Sequence, residues 1–128
     1  MTARIDTLTF DCADVMRVAR FWTEALGWEL DPDSEPDGAA VRDPTGVAGK
    51  LFFQPVPEPK VAKNRLHIDL RPSGSMEAEM ARLRELGATI VGRVDEEGSF
   101  WTVMQDPEGN ELCVLRGPED GWPGYAEA

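Results

Sequence analysis

Between residues 4 and 11, Leu8 and Phe10 alternate with Thr7, Thr9 and Asp11. That is the period-two pattern of a strand with one wetter face. The period then changes. Val15, Val18, Trp22, Ala25 and Leu26 fall on one stripe of a helix over 15–26, with Asp14 placed as its N-cap and Gly27 placed to end it. Residues 28–30, 39–42 and 51–54 read as three strands. They are separated by the acid- and proline-rich loop 31–37 and by the turn Asp43-Pro44-Thr45-Gly46. Residues 55–64, with three prolines and two lysines, form a connector that favours an extended path.

The same order then recurs. Residues 65–71 read as a strand. Met76, Met80, Leu83 and Leu86 lie at helical spacing behind Ser73 or Ser75 as cap, with Glu77 and Glu79 in the first turn. Residues 88–91, 99–105 and 111–116 read as strands, with turns at 95–98 and 106–110. A shift of 60 residues places Thr7 on His67, Leu8 on Ile68, Phe10 on Leu70, and Leu26-Gly27 on Leu86-Gly87. A strand, a helix and a glycine at one common offset indicate a duplicated unit. Each half is βαβββ, and neither buries enough apolar surface alone, so the expected fold is a single α+β domain over residues 1–128. Module one covers about residues 4–56, the connector 57–64, module two about 65–116 and a tail 117–128.

Composition narrows the partners. The net charge of −11 argues against broad contact with nucleic acid or anionic membrane. No apolar run approaches the ~20 residues that span a bilayer, and the N-terminus lacks a signal-peptide pattern. Two cysteines make no disulfide framework, which points to the cytoplasm. The charge is uneven, however. Between positions 50 and 71, Lys50, Lys60, Lys63, Arg65 and Arg71 face only Glu58 and Asp69, a local excess of +3. This stretch is either a solvated connector or an anion-attracting rim beside His67, the only histidine.

Strand parity places Thr7, Thr9, His67, Asp69, Glu111 and Cys113 on one set of faces. Leu8, Phe10, Ile68, Leu70, Leu112 and Val114 take the other, helix-packed set. Phe52, Gln54, Trp101 and Val103 are expected companions of the first set. His67 reads either as a hydrogen-bonded structural histidine or as a ligand-orienting, proton-transferring group. Asp69 and Glu111 are strand carboxylates or its proton-transfer partners. Cys113 is an inert thiol or a site residue, and Trp101 a core anchor or a stacking platform.

Phe21-Trp22…Ala25-Leu26-Gly27 in the first half, with Asp106-Pro107-Glu108-Gly109-Asn110 before the last strand, resembles the vicinal oxygen chelate superfamily. Glyoxalase I, bleomycin-resistance proteins and extradiol dioxygenases belong to it. The resemblance covers about residues 4–116 and is nearest to small bacterial glyoxalase-like proteins. It implies two βαβββ modules forming a curved mixed sheet around a cavity, and a homodimer. It also implies four metal-ligand positions, filled here by Thr7, Phe52 (Lys50 or Gln54 in a shifted register), His67 and Cys113, the last where glutamate is usual. Only His67 is a good ligand as it stands, so no cofactor is expected, and a divalent metal, if any, falls to His67 and Cys113. The expected function is binding of a small organic molecule through Thr7, Thr9, Phe52, Gln54, His67, Trp101 and Cys113. The alternative is a metal-assisted or His-dependent lyase, isomerase or dioxygenase in which His67 acts with Glu111 or Asp69. A domain that merely pairs with a partner chain is a third expectation.

Overall fold

Strand β1 (Thr7–Cys12), helix α1 (Val15–Leu26), and strands β2 (Glu29–Leu30), β3 (Ala39–Arg42) and β4 (Lys50–Pro55) make a first βαβββ unit. Strand β5 (Ile68–Leu70), helix α2 (Met76–Glu85), and strands β6 (Thr89–Glu96), β7 (Ser99–Gln105) and β8 (Glu111–Leu115) make a second. These elements come from a computed structural model that describes residues 1–125; residues 126–128, the end of the expected tail, lie outside the described residues. The chain divides into two compact units, Met1–Val61 and the remainder from Ala62. Their strand orders are β1-β4-β3-β2 and β5-β8-β7-β6. In each, the first strand runs parallel to the last and the remaining neighbours are antiparallel. The two modules therefore share one topology.

In the first unit, the Asp14 carboxylate accepts the Arg17 N–H at 3.2 Å, and Gly27 ends α1 in the left-handed conformation at φ 66°. Only glycine takes that conformation without steric cost. Val15, Val18, Phe21 and Trp22 are buried. The Phe10 ring lies 6.0 Å from Trp22 and 5.1 Å from Phe53, so β1 and β4 present their apolar side to the helix. Truncating a buried tryptophan of this kind to alanine costs about 3–5 kcal/mol.

In the second unit Ser75, not Ser73, caps α2 by accepting the Ala78 N–H at 3.1 Å. Met76 and Leu83 are buried beneath the helix with Leu112, Val114, Thr102 and Met104 of the sheet. The Thr102 hydroxyl meets the Met76 sulfur at 3.6 Å. Several strand boundaries differ from expectation, and in this unit two differ most. Strand β5 begins at Ile68, because only Ile68–Leu70 find ladder partners on β8. Strand β6 runs through to Glu96, with a register shift between Ile90 and Gly92 that bends it.

The tail is fastened to this unit. A 3-10 turn over Pro118–Asp120 brings the Asp120 carboxylate to the start of α2. One Asp120 oxygen accepts both the Met76 N–H at 2.7 Å and the Gly117 N–H at 2.8 Å. The Glu119 N–H reaches the Gly74 carbonyl at 3.2 Å. The Arg71 guanidinium stacks 4.0 Å over the Trp122 ring and donates to the Arg116 carbonyl at 2.7 Å. Gly117 sits so close to Gly74 that a Cβ there would overlap the Gly74 carbonyl oxygen.

Candidate functional site

Two ladder rows on the face of the second sheet away from α2 define the site. Asp69 is opposite Cys113, and Cys113 is opposite Val103. In the next row Leu115 is opposite Trp101. Because alternate residues of a strand point to opposite faces, the burial of Leu112, Val114, Thr102 and Met104 under the helix turns these side chains outward together. They line a cavity of about 470 Å³ with Lys63, His67, Ser99 and Glu111. Trp101, Val103 and Leu115 supply an apolar wall, and His67, Asp69, Glu111 and Lys63 a polar one.

The polar groups are not equivalent. His67 stands just before β5, and its Nδ1 lies 2.7 Å from an Asp69 carboxylate oxygen. An ionised carboxylate can only accept, so Nδ1 is the donor, and in the neutral ring Nε2 presents its lone pair. Among the described residues no hydrogen bond reaches Nε2. Both side chains are partly open to solvent, at 41% and 44%. Glu111 is engaged through both oxygens, one accepting the Asn64 N–H at 2.8 Å and the other the Gln105 amide at 3.1 Å. It thereby ties the connector to β8. The Cys113 sulfur lies 3.7 Å from His67 Nδ1. Burial, followed by the charge and hydrogen bond of Asp69, pushes the Cys113 thiol up from 9.0 to about 11.

The remaining site residues from the sequence lie in the first unit. Register sets Thr7 beside Lys50, Thr9 beside Phe52 and Asp11 beside Gln54. The Thr7 hydroxyl donates to Asp6 at 2.6 Å, and the Gln54 amide donates to Asp11 at 2.8 Å. Phe52 lines a smaller hollow of about 210 Å³ with Lys50 and Arg42. Asp69 stands opposite Cys113 as Thr9 stands opposite Phe52. Phe52, not Lys50 or Gln54, is therefore the first unit's counterpart of Cys113.

Donor chemistry decides whether these positions suit a metal. The ligand atoms of His67, Asp69 and Cys113 lie within 4.8 Å of one another. His67 donates Nδ1 to Asp69 and leaves Nε2 open, while Cys113 is a buried thiol. At the two matching positions of the first unit stand a hydroxyl bonded to Asp6 and a phenyl ring. These residues do not fill all four ligand positions implied by the superfamily, since the phenyl ring of Phe52 offers a metal no donor atom.

Sequence reading brought His67, Asp69, Trp101, Val103, Glu111 and Cys113 to one place, and the cavity holds all six. It did not assign Ser99 or Leu115 to the site, and it brought Lys63 there only in one of two readings, as part of an anion-attracting rim beside His67. Leu115 follows Cys113 by two and was recoverable from strand parity. Lys63 belongs to the locally basic stretch. Ser99 carries no signal beyond its place at a turn. Both cysteines are buried free thiols, and among the described residues no helix is long and apolar enough to cross a membrane.

Comparison with known proteins supports this architecture. The sequence model of the glyoxalase-like domain matches residues 7–115. No curated protein sequence matches significantly. A glyoxalase-related enzyme from Fulvimarina pelagi superposes with a TM-score of 0.69 at 17% identity, covering 99% of this chain and 96% of that one. A glyoxalase/bleomycin resistance protein/dioxygenase family enzyme from Burkholderia phytofirmans PsJN gives 0.69 at 15% identity, over 88% and 97% of the two chains. The fosfomycin resistance protein FosX from Listeria monocytogenes, solved with Mn(II) and 1S,2S-dihydroxypropylphosphonic acid, gives 0.71 at 11% identity, over 91% and 92%. At these identities the structures speak for the fold, and the match over residues 7–115 speaks for the family. The chain belongs to the glyoxalase-like domain family, within the vicinal oxygen chelate superfamily.

Proposed function

We propose that this protein binds a small organic molecule in the cavity of its second module. The observation that carries the reading is the composition of that cavity, about 470 Å³ with Trp101, Val103 and Leu115 on one side and the His67–Asp69 pair on the other. Ligand sites typically occupy about 300–1,000 Å³ and combine an apolar lining with a few placed polar groups. The phosphonic acid held by the Listeria relative supports small-molecule binding as a use of this fold. Trp101 offers a flat ring for a planar group, and Nε2 of His67 accepts a hydrogen bond from the ligand.

A fragment screen by ligand-observed NMR tests this reading. Hits are expected to lose their signal of binding in Trp101→Ala, whose truncation opens the apolar wall. A screen whose hits bind wild type and Trp101→Ala alike would place them elsewhere and overturn the assignment.

The 2.7 Å contact between His67 and Asp69 favours a second reading, that of a lyase or isomerase acting by proton transfer. A histidine oriented by a carboxylate through one nitrogen is arranged to take a proton at the other. On this reading His67 Nε2 removes a proton from the ligand's acidic C–H, and Asp69 stabilises the resulting imidazolium. Bound ligands would exchange that hydrogen in D₂O, and His67→Gln would abolish the exchange without abolishing binding. Equal exchange in wild type and His67→Gln removes this reading.

A further inference from the structure

The charged groups around the cavity fall into two classes. The two carboxylates are engaged, Asp69 with His67 at 2.7 Å and Glu111 with Asn64 and Gln105. The one full cation lining the cavity, Lys63, has only a 3.3 Å hydrogen bond from its ammonium to the neighbouring Asn64 carbonyl. Among the described residues no carboxylate pairs with it. Lys63 nevertheless acts on the cavity, since its charge is the one influence at Cys113 that favours the thiolate. The Glu111–Asn64 hydrogen bond fixes the backbone next to Lys63, which sets the lysine at the rim. Its side chain is exposed.

Opposite this cation stands the apolar wall of Trp101, Val103 and Leu115. Asp69 and Glu111 keep their charges but have their oxygens engaged, so Lys63 is the charged lining group that still offers a ligand unused donors. A flat, apolar molecule ending in a single negative charge satisfies both sides. We propose that the cavity selects planar aromatic carboxylates, with the ring against Trp101 and the carboxylate on Lys63. This rests on the cavity being the binding site, and it names the ligand class that site prefers. The ligand's carboxylate takes up the ammonium's unused donors in a charge-assisted hydrogen bond, and the ring adds its stacking on the indole.

Isothermal titration with 2-naphthoate and with its neutral isostere 2-naphthamide tests the proposal. Wild type is expected to bind the acid at least about tenfold more tightly than the amide, the worth of one charge-assisted hydrogen bond. Lys63→Gln is expected to weaken the acid about tenfold and to leave the amide within about twofold. Because Lys63 is exposed, the variant should melt with the wild type, and a melting curve confirms that it is folded. Equal affinity for acid and amide in wild type, or an equal loss of both in Lys63→Gln, overturns the charge preference while leaving the cavity as a binding site. Binding of neither probe overturns the carboxylate preference too. The cavity reading itself falls only if the fragment screen is also insensitive to Trp101→Ala.

Discussion

The state of Cys113 can be read directly from its reactivity. The thiol is shifted from 9.0 to about 11, first by burial and then by the Asp69 charge and hydrogen bond. Only the thiolate is alkylated. At pH 8 an unshifted thiol is about 9% ionised and one at 11 about 0.1%, so the reactive fraction falls roughly a hundredfold. Limited access slows both forms alike and leaves the shape of the pH profile intact. The experiment measures the iodoacetamide rate at Cys113 from pH 7 to 11, followed by peptide mass spectrometry so that the second thiol, Cys12, is scored separately. The rate should climb about tenfold per pH unit without levelling below pH 10. Asp69→Ala removes the second and third causes of the shift but not burial, so its profile should level at lower pH than wild type. A wild-type profile that flattens at pH 9 would mean that burial and Asp69 do not hold the proton.

The other predictions concern stability. Replacing Asp120 by alanine leaves the Met76 and Gly117 N–H groups without their shared acceptor; urea unfolding should show a loss of about 2 kcal/mol, and a loss below about 0.5 kcal/mol would deny the tail its capping role. His67→Gln breaks a side-chain hydrogen bond whose partners are 41% and 44% exposed; its cost in urea should stay under about 1 kcal/mol, and several kcal/mol would mark His67 as structural. Three carboxylates of the first unit titrate below their ordinary 3.8: Asp43 through the Ala48 and Thr45 N–H groups, Asp31 through the Asp33 N–H and Arg42, and Asp6 through the Thr7 hydroxyl and Lys50. Their folded values lie under their unfolded ones, so their stabilisation is complete above 3.8 and disappears as pH falls through the lowered values. Asp43→Asn should therefore lose less stability than wild type between neutral pH and pH 2 when followed by circular dichroism.

What could be read in advance was local. Helix α1 was legible because its cap, its stripe and its terminating glycine all sit within residues 14–27 and agree with one another. The matching turns were legible for the same reason. In each, the glycine N–H closes on the carbonyl of Asp43 or Asp106 at 2.9 Å, as the Asp-Pro-x-Gly spacing requires. The start of β5 was not, because Leu66 looks like a strand residue in sequence. It remains 62% exposed where β8 offers it no partner. Parity assembled most of the cavity, since it needs only the period of a strand. Lys63 escaped that method because a proline-rich connector has no period, and its place depends on Glu111, an acid 47 residues beyond the Asn64 that it holds. The Asp120 cap depends on a contact 44 residues distant and left no trace in any short window.

Gly117 has an extended backbone, φ −99° and ψ −178°, which any amino acid could adopt. Its identity is dictated by proximity alone, for a methyl group would have to occupy the space of the Gly74 oxygen. The family's recognised boundary stops at residue 115, two positions short of this point. An engineer who trimmed the chain to that boundary, or grafted there a foreign extension whose second residue carried a side chain bulkier than hydrogen, would unlatch the start of α2 from its own carboxylate.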